Sequence, residues 1–125
     1  MFDENIMKVA NALVGHCKNH TELEGLKTLY ADDAVSVESV DMGNGRETKG
    51  VVAIEGKHEW WNNAFEVHSD AVEGPYIHGA NQFGVIFEID ATNKETGERS
   101  QMKEVAVYTV DNGKISREEF FYLAG

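Results

Sequence analysis

An α+β domain, with helices first and an antiparallel sheet after them, is the fold class that this sequence predicts. Two observations carry the prediction. Apolar residues recur at helical spacing up to Phe65, and beyond it long segments alternate with period two between clusters of turn-forming residues. Size is the third observation: 125 residues, 42% of them hydrophobic, supply one core and are too few for two, so residues 1–125 are expected to form a single domain.

From Glu4 to His20, Ile6, Val9, Ala10, Leu13, Val14 and Cys17 mark the buried face of a first helix. Thr21, followed by Glu22 and Glu24, reads as an N-cap opening a short second helix through Leu23, Leu26 and Leu29. After the turn-like Asp32-Asp33 a strand is expected from Ala34 to Val40, and Met42 to Gly50, polar and glycine-rich, reads as a loop. Val51, Ile54, His58, Trp61 and Phe65 then form the inward stripe of a third helix. Four strands follow, Asp70 to His78, Gln82 to Thr92, Gln101 to Val110 and Lys114 to Leu123, with breaks at Gly79-Ala80-Asn81, Asn93 to Gly97 and Asp111-Asn112-Gly113. In the second of them Phe83, Val85, Phe87, Ile89 and Ala91 make one apolar face, while Glu88 and Asp90 lie on the other.

Twenty-two acidic residues against eleven Lys and Arg give a net charge of −11, which repels phosphate backbones and anionic membrane surfaces; nucleic acid and membranes are not expected partners. No apolar run approaches the roughly 18 residues of a membrane span. Met1 to Gly15 lacks the basic and apolar regions of a signal peptide, and Cys17 is the one cysteine, so a cytoplasmic location is expected. His16 and His20 stand four apart on a helix and could face one ion, but no HExxH or Cys pair accompanies them, and neither a metal nor a cofactor is expected.

Three segments in order, Leu29-Tyr-Ala-Asp-Asp-Ala34, Gly50-Val-Val-Ala-Ile54 and Val105-Ala-Val-Tyr-Thr-Val110 running on through Asp-Asn-Gly-Lys-Ile115, resemble SnoaL-like members of the nuclear transport factor 2-like superfamily. Ketosteroid isomerase, limonene epoxide hydrolase and scytalone dehydratase are its relatives. The resemblance implies a cone of curved sheet packed on three N-terminal helices, a ligand cavity inside the cone, and a homodimer formed through the outer sheet face. It does not imply an activity, since such folds serve enzymes, binding modules and transport factors alike.

The inward-facing residues depend on the last turn. A two-residue Asn112-Gly113 loop pairs Val110 with Ile115 and sets Glu104 opposite Phe121; a three-residue Asp111-Asn112-Gly113 loop with a bulge pairs Val110 with Lys114. Comparison with ketosteroid isomerase favours the second, which gathers Glu104, Ala106, Tyr108, Glu118, Phe120 and Tyr122 on one face. The same comparison sets Glu38 where the isomerase keeps its base, and Val14 and Ala106 where it keeps its oxyanion donors. Neither can donate through its side chain, so that reaction is not expected; nor is limonene epoxide hydrolase chemistry, for want of an arginine between two inward acids.

The fold then gathers Glu38, Glu104 and His58 as candidate catalytic groups, with Tyr30, Trp61, Phe87, Tyr108, Glu118, Phe120 and Tyr122 lining the site. Carboxylates in an apolar cone hold protons more tightly and can serve as acid and base near neutrality. The bland alternatives stay open: Glu38 in water at a strand end, His58 bonded to a backbone carbonyl, the aromatic residues as plain core. Three functions compete. One is a cofactor-independent isomerase, dehydratase or cyclase acting on an apolar small molecule, one a module that only binds such a molecule, and one a dimerising interaction domain.

Overall fold

A computed structural model describes residues 4–41, 43 and 45–122. Its elements are α1 (Glu4–Asn19), α2 (Glu22–Leu29), β1 (Tyr30–Val37), β2 (Glu47–Lys49), α3 (Val51–Ala64), β3 (Phe65–His78), β4 (Gln82–Asn93), β5 (Arg99–Asp111) and β6 (Lys114–Phe121). The strands form one sheet in the order β2-β1-β6-β5-β4-β3. Its neighbours are antiparallel except for β1 and β6, which run parallel, so the sheet is mixed. None of the described helices is long and apolar enough to cross a membrane.

The core lies between the helices and the inner sheet face. Ile6, Val9, Ala10, Leu13, Val14 and Cys17 of α1 are all buried, as their spacing predicts, and meet Phe83 and Val85 of β4, Ala106 and Tyr108 of β5 and Ile115 of β6. Phe83 and Tyr108 stack with ring centroids 4.9 Å apart. Thr21 occupies the N-cap position of α2 without a side-chain capping bond; its hydroxyl lies 2.8 Å from His16 Nδ1 instead.

Several boundaries differ from the expected ones. β1 begins at Tyr30, because Asp32 and Asp33 do not turn the chain; they sit exposed in an irregularity that shifts the pairing with β6 between Tyr30 and Val35. Glu38 to Val40 fall beyond its end, though the Glu38 N–H still reaches the Arg46 carbonyl at 2.9 Å. Inside the expected loop, β2 pairs Glu47–Lys49 with β1, a strand too short to show any periodicity. The Asp41 carboxylate accepts the N–H groups of Gly43 and Gly45, both at 2.8 Å, which closes that turn. Met42, Asn44 and Leu123 lie outside the described residues. β3 follows α3 directly at Phe65, and its irregularity between Glu73 and Tyr76 accommodates Pro75 on an edge strand, where a missing donor is tolerated.

The last hairpin corrects the expected turn. It has the two-residue Asn112-Gly113 form, with φ of 53° and 77° as a type I′ turn requires, and Val110 pairs with Ile115. Ser116 is then an extra residue on β6: the register shifts, and Thr109 pairs with Arg117, Tyr108 with Glu118 and Ala106 with Phe120. Because side chains alternate, this bulge undoes the change of face that the shorter turn imposes. Ala106, Tyr108 and Glu118 are buried, while Val105 and Phe121 on the opposite face are exposed.

Candidate functional site

The parallel pairing of β1 with β6 sets Ser36 beside Glu118, both buried. Glu118 is 1% exposed, a carboxylate that must be satisfied within the protein. Its Oε1 accepts the Tyr30 hydroxyl and its Oε2 the Ser36 hydroxyl at 2.7 Å. Ser36 Oγ in turn accepts a hydrogen bond from Lys57 Nζ at 2.7 Å. Lys57 pairs with Glu38 Oε1, and its ammonium lies 5.2 Å from the Phe120 ring centroid. Tyr122 closes the chain by donating to Glu38 Oε2 at 2.9 Å. Ser39 fixes the far end, donating to the Phe120 carbonyl at 2.6 Å and accepting the Tyr122 N–H at 3.2 Å.

Glu104 projects from β5 on this same face, opposite Phe87 of β4. Burial pushes its carboxyl up to about 7; the charges of Glu38 and Glu118 push the same way, and Lys57 opposes them. Burial also raises the Tyr30 and Tyr108 hydroxyls well above their ordinary range, with the Glu118 charge adding to it. Tyr122 is pushed up to about 12, by desolvation first and then by its bond to Glu38. These tyrosines keep their protons near neutrality, and Tyr30 and Tyr122 donate them to carboxylates, while Glu104 is the group poised to change state there.

The residues anticipated from sequence thus separate. Tyr30, Glu38, Glu118 and Tyr122 belong to one hydrogen-bonded chain, and Phe120 packs beside it. Glu104 feels its charges. Trp61 is half-buried and stacks on Phe65 with centroids 4.1 Å apart. Phe87 is a partly buried residue packed against the core, and Tyr108 lies within the core beneath the site. His58 is half-buried and forms no hydrogen bond or ion pair with a described residue, so nothing connects it to the carboxylates. Beside Ser39, two members of the hydrogen-bonded chain itself, Ser36 and Lys57, escaped the sequence reading. Each carried a signal: Ser36 stands two before Glu38 on one strand face, and Lys57 falls between Ile54 and Trp61 on the inward stripe of α3.

His16 and His20 turn to different partners, His16 to Thr21 and His20 to Asp70 at 2.7 Å. Two concavities lie away from the carboxylate chain. One of about 320 Å³ is bounded by Asn5, Ile6, Asn81 and Asn112, and one of about 240 Å³ by Asp70, Glu88, Asp90 and Met102. Neither includes Glu38, Lys57 or Glu104.

Comparison with known proteins accounts for the architecture. Residues 7–122 match the SnoaL-like domain family. A search of curated proteins finds no match. Among solved structures, a Mesorhizobium loti protein with the provisional name of SnoaL-like polyketide cyclase and carbohydrate phosphatase is 39% identical. It is covered over 98% of its length by 94% of this chain, with a TM-score of 0.88. A Mycobacterium tuberculosis protein in complex with estradiol-17β-hemisuccinate is 19% identical, with 95% and 94% of the two chains covered and a TM-score of 0.71. TerC, co-crystallised with polyporic acid, is 15% identical over 95% of this chain and 92% of its own, with a TM-score of 0.72. The last two share the fold, whereas the family match spans nearly all of the described sequence: the chain belongs to the SnoaL-like family, with the nuclear transport factor 2-like fold.

Proposed function

We propose that this protein holds a small, largely apolar organic molecule against the carboxylate cluster and exchanges a proton with it through Glu104, without a cofactor. The observation that carries the reading is an acid at about 7, set among Phe87, Phe120 and the ion-paired Glu38 and Lys57. Such an acid is protonated and ionised in comparable amounts near neutrality, the condition for giving and taking a proton in one cycle. Both Glu38 oxygens are already engaged, by Lys57 and Tyr122, which makes Glu38 the charge that tunes Glu104. Isomerisation, dehydration and cyclisation by enolate chemistry all fit this arrangement. The polyketide cyclase name of the Mesorhizobium relative, with the estradiol-17β-hemisuccinate held by the Mycobacterium protein and the polyporic acid co-crystallised with TerC, supports a small organic molecule as ligand.

Exchange of the α-protons of 2-tetralone, an apolar enolisable ketone, followed by NMR in deuterated buffer, tests the reading. The protein should accelerate exchange, and Glu104→Gln should abolish the acceleration. Catalysis absent from the wild type but with 2-tetralone bound would leave a module that binds without turnover. Replacing Trp61 or Phe120 by Ala should weaken binding by about 1 to 3 kcal/mol each if their rings contact the ligand. Unchanged affinity in both variants, measured by calorimetry, would move the ligand elsewhere.

The outer sheet face is the proposed dimer interface. Val105 and Phe121 face each other across β5 and β6 at 39% and 49% exposure, next to the half-buried Val107. An apolar strip of this kind gains from being covered by a second copy of itself. Sedimentation at micromolar concentration should show a dimer that Phe121→Lys dissociates; a wild-type monomer would refute it.

A further inference from the structure

We infer that Lys57 receives the negative oxygen of the ligand, which makes the preferred ligand an apolar ketone or enol whose oxygen lies beside Lys57 and whose acidic C–H lies beside Glu104. The inference deepens the proton-exchange reading and rests on it.

An ammonium has three donors and no acceptor. Ser36 Oγ and Glu38 Oε1 take two of them, and the Phe120 ring offers a π-face at 5.2 Å but no lone pair. One N–H therefore has no hydrogen-bonding partner among the described residues. The ammonium is also held in place. The Ser36 proton is committed to Glu118, which Tyr30 fixes from its other side, so the lone pair of Ser36 is left to face Lys57. A donor held before the reaction begins stabilises developing charge more than one that must reorient.

The proton transfer balances on these groups alone. The ionised Glu104 takes a proton from the carbon next to the ligand carbonyl. The C–H electron pair becomes the new C=C bond, and the carbonyl π pair moves to oxygen. One negative charge leaves Glu104 and appears as an enolate beside Lys57. Return of the proton to a different carbon completes an isomerisation with no atom lost and no co-reactant used.

The planar phenol 2-naphthol, which resembles the enol of 2-tetralone, tests the inference. It is studied in a Glu104→Gln background so that its own ionisation is read by absorbance without a neighbouring titration. With Lys57 present, bound 2-naphthol should ionise at least about one pH unit lower than with Lys57→Met, a tenfold change in acidity. Lys57→Arg should retain most of that shift. Should Lys57→Met fold poorly because Glu38 is left unpaired, the Lys57→Met/Glu38→Gln double variant removes both charges, and it too should lose the shift. Equal ionisation with and without Lys57 in that background, where both variants still bind 2-naphthol and the wild type exchanges 2-tetralone, overturns the Lys57 assignment and leaves the proton-exchange reading intact. Failure of wild-type protein to exchange 2-tetralone, together with failure to bind 2-naphthol, removes both.

Discussion

Glu118→Ala is expected to destabilise the fold by about 3 to 5 kcal/mol, the largest effect of any single change at the site. The carboxylate is buried, and both its oxygens accept hydroxyl protons, from Tyr30 and Ser36. Truncation leaves those two hydroxyls in the interior without acceptors and opens a void where the side chain stood, and each loss adds to the other. Glu118→Gln keeps the volume and one carbonyl oxygen but turns an NH₂ group toward a second donor, so about 1 to 3 kcal/mol is expected. Tyr30→Phe, which removes one donor from a charged acceptor, belongs in the same range. Denaturant unfolding with unchanged m-values would measure all three. A loss below about 1 kcal/mol for Glu118→Ala would mean that the carboxylate is not the anchor of the chain that reaches Lys57.

Glu104→Gln is expected to stabilise the protein at alkaline pH while removing its proton exchange. The folded-state carboxyl lies at about 7 and its ordinary value is 4.5. Between those values the folded state binds more protons than the unfolded chain, so stability is full below about 4.5 and falls as pH rises to about 7. The accumulated loss amounts to at most about 3 kcal/mol, from 1.36 kcal/mol for each pH unit. Gln carries no charge to desolvate, so the variant should match the wild type near pH 4 and exceed it near pH 8. Unfolding free energies measured across that range decide the matter. Parallel pH profiles for the two proteins would show that Glu104 titrates like a solvated side chain, and the proton-exchange reading would fail with it. The NMR titration of the Glu104 carboxyl carbon gives the same answer independently.

The two effects have opposite signs although both concern glutamates on one sheet face. Glu118 has its donors supplied by the fold, and removing it leaves them unmatched. Glu104 has its desolvation without comparable compensation, which is an arrangement that costs stability and gives a group able to change protonation near neutrality.

Local periodicity determined most of the architecture. The apolar face of α1, the stripe of α3 and the alternation of β4 each arise from contacts that recur along one element, so they are legible from spacing alone. The Asn112-Gly113 pair also carries its own turn geometry, because positive φ at both positions selects those residue types, although comparison with ketosteroid isomerase favours the three-residue loop that the structure corrects. Glu38, Glu104 and Glu118 were readable as acids on candidate inner faces. Their different circumstances were not. That Glu118 is saturated by hydroxyls depends on the parallel pairing of β1 with β6, between residues more than eighty positions apart, and no periodicity encodes such a partner. The bulge at Ser116 settled which face of β6 looks inward, and it left no mark in an alternating segment, since an extra residue is visible only against the strand it fails to pair with. A lysine on a helix is ordinarily a solvated residue; what draws Lys57 inward is Ser36 on β1 and Glu38 just beyond its end, which only the folded chain brings alongside. Most of the secondary structure and the buried faces of α1, α3 and β4 were therefore decided by the sequence through short-range spacing, whereas the inward face of β6 and the charge balance of the site were decided by tertiary structure, because pairing, electrostatic and hydrogen-bonding energies depend on distances that only the complete sheet sets.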